Sequence, residues 1–167
     1  MAESAPAPLA AGAVYPIFLT DLQYKLAVVV GGGPVGERKV IGLLAAQARV
    51  RLISPALTPT LRAYVQSATI EWQPRAYQAG DLAGAFLVFA ATNVRAVNAQ
   101  VAQDAAQHNL LCNVADAPAE GNFHVPALYR QADFVVAVGS QQGKNPKRIQ
   151  QLRDQIAHFC QTLHFTK

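Results

Sequence analysis

Several absences narrow the classes open to this chain of 167 residues. Its two cysteines, Cys112 and Cys160, stand far apart with no C-x-x-C context. That excludes a disulfide framework or a zinc ribbon as the organising device and leaves two reduced thiols. No apolar run reaches the roughly 18 to 20 residues of a membrane helix, so no membrane span is expected. Aromatic residues, at 8%, are not interleaved with the basic ones, which argues against a base-stacking platform and a nucleic-acid partner. No Tyr-x-x-x-Lys pair occurs, so the signature of a generic alcohol dehydrogenase is missing. The first thirteen residues, MAESAPAPLAAGA, lack the basic cluster and apolar core of a secretory signal and read as a flexible tail. Cytoplasm is the expected location.

What is present is a hydrophobic fraction of 51% against 14% charged residues, the balance of a globular domain with its own core. Two periods alternate along it. KLAVVV, RVRLIS (49–54), TIEWQP (69–74), AFLVFAAT (85–92) and LLCNVAD (110–116) are apolar runs of buried-strand type. Between them, ERKVIGLLAAQA, the stretch from Thr58 to Gln66 and VRAVNAQVAQDAAQHN carry apolar residues at helical spacing. Strands alternating with helices predict an α/β fold, a Rossmann-like doubly wound parallel sheet with right-handed crossovers. Further on, FHVPALYR and DFVVAVGS read as two extended segments joined by a polar turn at Gln131–Asp133, followed by a helix from about Asn145-Pro146. The expected organisation is a tail over 1–13, a dinucleotide-binding domain over 14–118 and a strand-helix segment over 119–167.

Glycine carries the first chemical signal. In KLAVVVGGGPVGERKV, Gly31, Gly33 and Gly36 form G-x-G-x-x-G directly after a strand and at the start of a helix. Gly31 would allow the tight turn, Gly33 the approach of a diphosphate and Gly36 close helix–strand packing, with the helix N-terminus facing the anion. Pro34 and Val35 complete the loop. At the end of the second strand, where such folds often place an acid on the ribose, stands Ser54. A hydroxyl there separates NAD from NADP only weakly, and Arg49 or Arg51 would suit a 2′-phosphate.

Ligands in open α/β sheets gather at the carboxyl ends of the strands, where Thr92, Asn93, Asn113 and Asp116 are expected. Asp116, in NVADAP, fits either a carboxylate beside the reacting substrate or a turn aspartate bonding nearby amides. The formal charge of +4 includes Lys144, Lys147, Arg148 and Arg153 close together, which suits either a small polyanion or a solvated helix face. His124 lies near Asp116 in sequence, but His108, His158 and His164 have no partners at ligand spacing, and no metal site is expected.

GGGPVGERK, AATN followed by VN, CNVADAP, FHVPA and VAVGS with a later NP together resemble the precorrin-2 dehydrogenase family, which includes sirohydrochlorin ferrochelatases and part of sirohaem synthase. The resemblance covers about residues 14–155 and is most specific at CNVADAP. It implies NAD-dependent oxidation of precorrin-2 to sirohydrochlorin, with iron insertion in some members, in sirohaem or corrinoid biosynthesis. It implies further that Asp116 is the essential carboxylate and that Gly31 to Gly36 form the cofactor loop. Thr92 and Asn113 would line the nicotinamide side, and Ser140 would meet the tetrapyrrole, with Lys144, Lys147 and Arg148 clamping its carboxylates. A homodimer supported by 119–140 is also implied. Two departures stand out: SQQGKNPK has glutamines where the family has glycines, and the family's usual C-terminal helical domain is expected to be truncated or absent. The alternative is a non-catalytic module that binds a nucleotide or a tetrapyrrole.

Overall fold

The apolar runs become parallel strands because their side chains are covered from both faces. The computed structural model describes residues 14–131, 133–141 and 145–162. Five strands, β1 (Leu26–Val30), β2 (Arg49–Ile53), β3 (Glu71–Gln73), β4 (Ala85–Ala90) and β5 (Leu111–Val114), form one sheet in the order β3-β2-β1-β4-β5. Every pairing in it is parallel. Central β1 shows why the run LAVVV had to be continuous. Ala27 and Val29 enter one core with Val40, Leu43, Leu61 and Phe89, while Val28 and Val30 enter the other with Val101, Ala105, Val88 and Val114. All four are at most 1% exposed.

The helices start where the local chemistry tells them to. α1 (Pro34–Ala45) has proline at its first position and Gly33 as N-cap, three residues earlier than apolar spacing alone suggests, because proline's fixed φ is ready for a helix and its missing N–H costs nothing there. It ends before Gln47, whose φ is 60°. α2 (Pro59–Gln66) repeats the device, with the Thr58 hydroxyl accepting from the Leu61 N–H at 3.3 Å. α3 (Arg95–Gln107) lies on the opposite face. The chain therefore runs outward from β1 to β3, then returns to the other side of β1 as β4. That reversal opens a crevice at the carboxyl ends of β1 and β4.

Beyond β5, Asn122 takes the place of a sixth strand. Its side chain accepts from the Cys112 N–H at 2.8 Å and donates to the Leu110 carbonyl at 2.9 Å, and its own N–H donates to the Cys112 carbonyl at 2.9 Å. These bonds hold 119–125 to the sheet, so contacts divide the chain after Val125 rather than at the expected 118, giving Leu19–Val125 as one unit.

The described part of the second unit comprises 14–18, 126–131, 133–141 and 145–162. β6 (Ala127–Gln131) and β7 (Phe134–Val138) pair antiparallel, and α4 (Pro146–Thr162) packs on them, with Arg153 donating to the Leu128 carbonyl at 3.2 Å. The tail over 1–13 lies outside the described residues. No helix among the described residues is long and apolar enough to cross a membrane.

Candidate active site

The glycine turn is shaped by what surrounds it. Gly31 has φ 120°, and a Cβ there would fall 2.4 Å from the Ala91 carbonyl oxygen and 2.9 Å from the Thr92 nitrogen. Gly36 must be bare for the same kind of reason, since its Cβ would lie 1.9 Å from the Gly31 carbonyl oxygen. Gly33 differs: no atom lies within 4 Å of the place its Cβ would take. It caps α1 with no side-chain bond, and the helical ladder begins only with the Glu37 N–H on the Gly33 carbonyl at 2.9 Å. The amides before that point are the ones a helix leaves without internal partners. The space above Gly33, at the positive end of a helix of 12 residues, fits a diphosphate. Pro34 is exposed and Val35 half-buried beside it.

Gly32, outside the motif, is packed as tightly as its neighbours. Its Cβ would collide with the Ala56 carbonyl oxygen at 2.1 Å, and its N–H donates to the Ser54 hydroxyl at 2.9 Å. Ser54 is 7% exposed and passes its own proton to the Ala56 carbonyl at 2.8 Å. Its hydroxyl proton, which a ribose contact would draw on, is therefore spent on bracing the turn against the chain after β2. The cations considered for a 2′-phosphate are placed elsewhere. Arg49 opens β2, about 13 Å from that strand's carboxyl end at the usual rise per residue, and Arg51 is paired with Glu71 at 2.8 Å. Arg75, beyond β3, is held by both oxygens of Asp81 at 2.6 and 2.7 Å.

Asp116 follows β5 on the same edge of the sheet, and the polar groups there form one connected set. Asn98 of α3, 0% exposed, donates to Asp116 Oδ1 at 3.0 Å and to the Thr92 carbonyl at 3.0 Å. Its own oxygen accepts from the Thr92 N–H at 3.0 Å and the Thr92 hydroxyl at 2.8 Å. Arg95 Nη1 stands 3.8 Å from Asp116 Oδ2, while Nη2 is hydrogen-bonded to Glu120. Asp116 itself is 37% exposed, open to an incoming molecule. A half-open carboxylate with one oxygen already hydrogen-bonded and a cation beside the other has the makings of a proton acceptor. Sequence reading named Asp116 and Thr92 but gave no role to Asn98, visible only as the second letter of VN, nor to Arg95 and Glu120.

The matches to known proteins carry the same message as the turn. An NAD(P)-binding family model matches residues 18–127. The chain belongs to this NAD(P)-binding family. Siroheme synthase 1 of Aeromonas salmonicida (strain A449) is 41% identical over 141 residues, 84% of this chain and 30% of that protein. Siroheme synthase 1 of Serratia proteamaculans (strain 568) is 38% identical over 141 residues, with 84% and 29% covered. The chain thus spans about three tenths of the length of the curated relatives it matches. A solved structure titled SirC, precorrin-2 dehydrogenase superimposes with a TM-score of 0.75 over 92% of this chain and 84% of that one, at 22% identity. The Rossmann-like fold expected from the alternation of periods is therefore shared with a solved protein.

Within this NAD(P)-binding chain the remaining candidates fall into two groups. Asn113, on β5, is 7% exposed and donates its amide to the Phe123 carbonyl at 3.1 Å, so that donor holds the 121–123 segment against the sheet. Cys112 beside it is a buried thiol whose pKa burial pushes up to about 11, which makes it inert at neutral pH. The other group lies in the hairpin-helix unit. Ser140 is half-buried after β7, and Lys147 and Arg148 are exposed in the first turn of α4, where they line an open depression with Asn145, Pro146 and Gln151. Lys144 lies outside the described residues, as does His164. Among the described residues no three His, Cys, Asp or Glu side chains come together as a metal site would need.

Proposed function

We propose that the chain oxidises precorrin-2 to sirohydrochlorin with NAD, in the cytoplasm and as a homodimer. The observation that carries the proposal is the placement of a bare diphosphate turn and a half-open carboxylate on one sheet edge, linked through Thr92 and Asn98. The siroheme synthase relatives and the SirC fold supply the substrate class. NAD is preferred over NADP because the arginines near β2 and β3 are already paired or lie at its far end.

Gly31, Gly33, Pro34, Val35 and Gly36 would hold the dinucleotide's diphosphate, with Thr92 beside its nicotinamide half. When bound, the nicotinamide supplies the two-electron acceptor. Asp116 takes the accompanying proton, so the macrocycle loses two hydrogens in all and gains one double bond. Arg95 limits the cost of holding a carboxylate at a partly covered site. Ser140, Lys147 and Arg148, with Lys144, would meet the substrate's acetate and propionate groups. Two cations in a first helical turn that has no acid oppose the helix dipole, and a bound polyanion relieves that conflict.

The test is anaerobic incubation with precorrin-2 and NAD, following sirohydrochlorin and NADH by absorbance. Asp116→Asn is expected to cut turnover by about 10²- to 10⁴-fold with dinucleotide binding retained. Binding without turnover in the unmodified chain would instead favour a non-catalytic module. Adding ferrous iron to the same assay reads whether the product proceeds to siroheme.

A further inference from the structure

We infer that Asn98 is a positioning residue that decides which oxygen of Asp116 receives the proton and couples that carboxylate to the dinucleotide turn. The inference rests on the reading of Asp116 as the base. Its starting point is that the Asn98 amide is saturated. The oxygen accepts from the Thr92 N–H and the Thr92 hydroxyl, and the nitrogen donates to the Thr92 carbonyl and to Asp116 Oδ1, all within 3.0 Å. A primary amide offers two donors and a carbonyl with two lone pairs, so nothing remains unused. Rotating the amide by half a turn would face its NH₂ to the Thr92 N–H and its oxygen to the Thr92 carbonyl. The backbone of Thr92 therefore dictates which end points at Asp116.

That end is a donor and can only donate. Asp116 Oδ1 accepts from it at 3.0 Å, which spends one of that oxygen's two lone pairs and makes it the less basic of the two. Oδ2 is left to receive the proton. Its neighbour Arg95 lies at 3.8 Å, beyond hydrogen-bond length, and is engaged by Glu120, so the cation lends charge without occupying the oxygen. The other half of the amide reaches the turn, since the Thr92 nitrogen lies 2.9 Å from where a Gly31 Cβ would sit. With Asn98 completely buried, the amide that holds Asp116 Oδ1 is itself fixed against Thr92 and the wall of the glycine turn. Bracing the 92–94 bend alone would need only the three bonds to Thr92; the fourth, to Asp116, is the one this inference explains.

A double-mutant cycle on precorrin-2 turnover tests the role. Asn98→Ala is expected to lower kcat by about 10- to 100-fold, the usual cost of losing the partner that orients an active-site ligand, with KM for precorrin-2 changed less than about threefold. In an Asp116→Asn background the same substitution should change the residual rate by less than about threefold, because its route of action has gone. An equal loss in both backgrounds, or no loss in the first, overturns the positioning role. Undiminished turnover in Asp116→Asn alone removes the base instead, and the positioning role falls with it. A second readout does not depend on an Asn98 variant folding. The Asn98 side-chain amide of the full chain should show two inequivalent, exchange-protected protons by NMR, one of which moves upfield in Asp116→Ala. If neither moves, the contact is absent in solution and the inference fails.

Discussion

The glycine turn and the Asp116 corner lie on one sheet edge and are built by opposite means. The turn is made by leaving side chains out: Gly31, Gly32 and Gly36 each stand where a Cβ would strike a backbone carbonyl. The corner is made by side chains bonded to one another, Asn98 with its amide fully used on Thr92 and Asp116, and Arg95 held by Glu120. A surface of bare amides can meet any diphosphate of the right shape, whereas a carboxylate proposed to take one proton from one atom needs its orientation fixed. Gly31, Gly32 and Gly36 therefore leave no room for an addition, and the corner is weakened by a removal.

That contrast can be broken or sharpened by substitution. The largest effect is expected from Gly36→Ala, whose methyl would overlap the Gly31 carbonyl oxygen and cost about 3 kcal/mol or more, read as a melting point lowered by about 10 °C. Gly33→Ala is the contrasting addition. With open space around it the melting point should hardly move, while NAD affinity measured by calorimetry falls at least about tenfold as the methyl occupies the anion's place. At the corner, Thr92→Val keeps the shape but removes the hydroxyl that bonds the buried Asn98 oxygen, at a cost of about 1 kcal/mol by urea unfolding, and Thr92→Ser should restore it. Ser54→Ala should cost a similar 1 kcal/mol or so by taking the acceptor from Gly32, showing that even the bare turn leans on one side chain. The smallest effect concerns Cys112. Its thiol should resist iodoacetamide in the native protein at neutral pH and react once unfolded, as mass spectrometry would show. Because its folded pKa is raised from 9.0 to about 11, its contribution to stability is intact below that range and declines as pH climbs through it.

How much of this could be read beforehand follows from the range of the interactions. The turn was legible because its parts are consecutive: a strand, three glycines, a proline and a helix lie within residues 25–45, and each step is a local rule. The five strands were legible for the same reason, although apolar spacing starts the helix after β1 three residues later than Pro34 does. Asn98 was not legible. It meets Asp116 across 18 residues only because β4 and β5 are neighbours and α3 returns over them, and no spacing rule encodes that. Ser54 shows the converse, a residue at the right position whose hydroxyl proton turns out to be committed to the Ala56 carbonyl. The attachment of 119–125 to the sheet was not legible, because the three hydrogen bonds of Asn122 are invisible in composition.

Asn122 has one more consequence. An outermost strand with free amides and carbonyls is an invitation to any stray extended peptide, and crowded or partly unfolded chains zip together along such borders. One asparagine here occupies the Cys112 N–H and carbonyl and the Leu110 carbonyl on that border by imitating a peptide link. Replacing it would convert a closed margin into a template for growth, with clumping rather than lost chemistry as the first symptom.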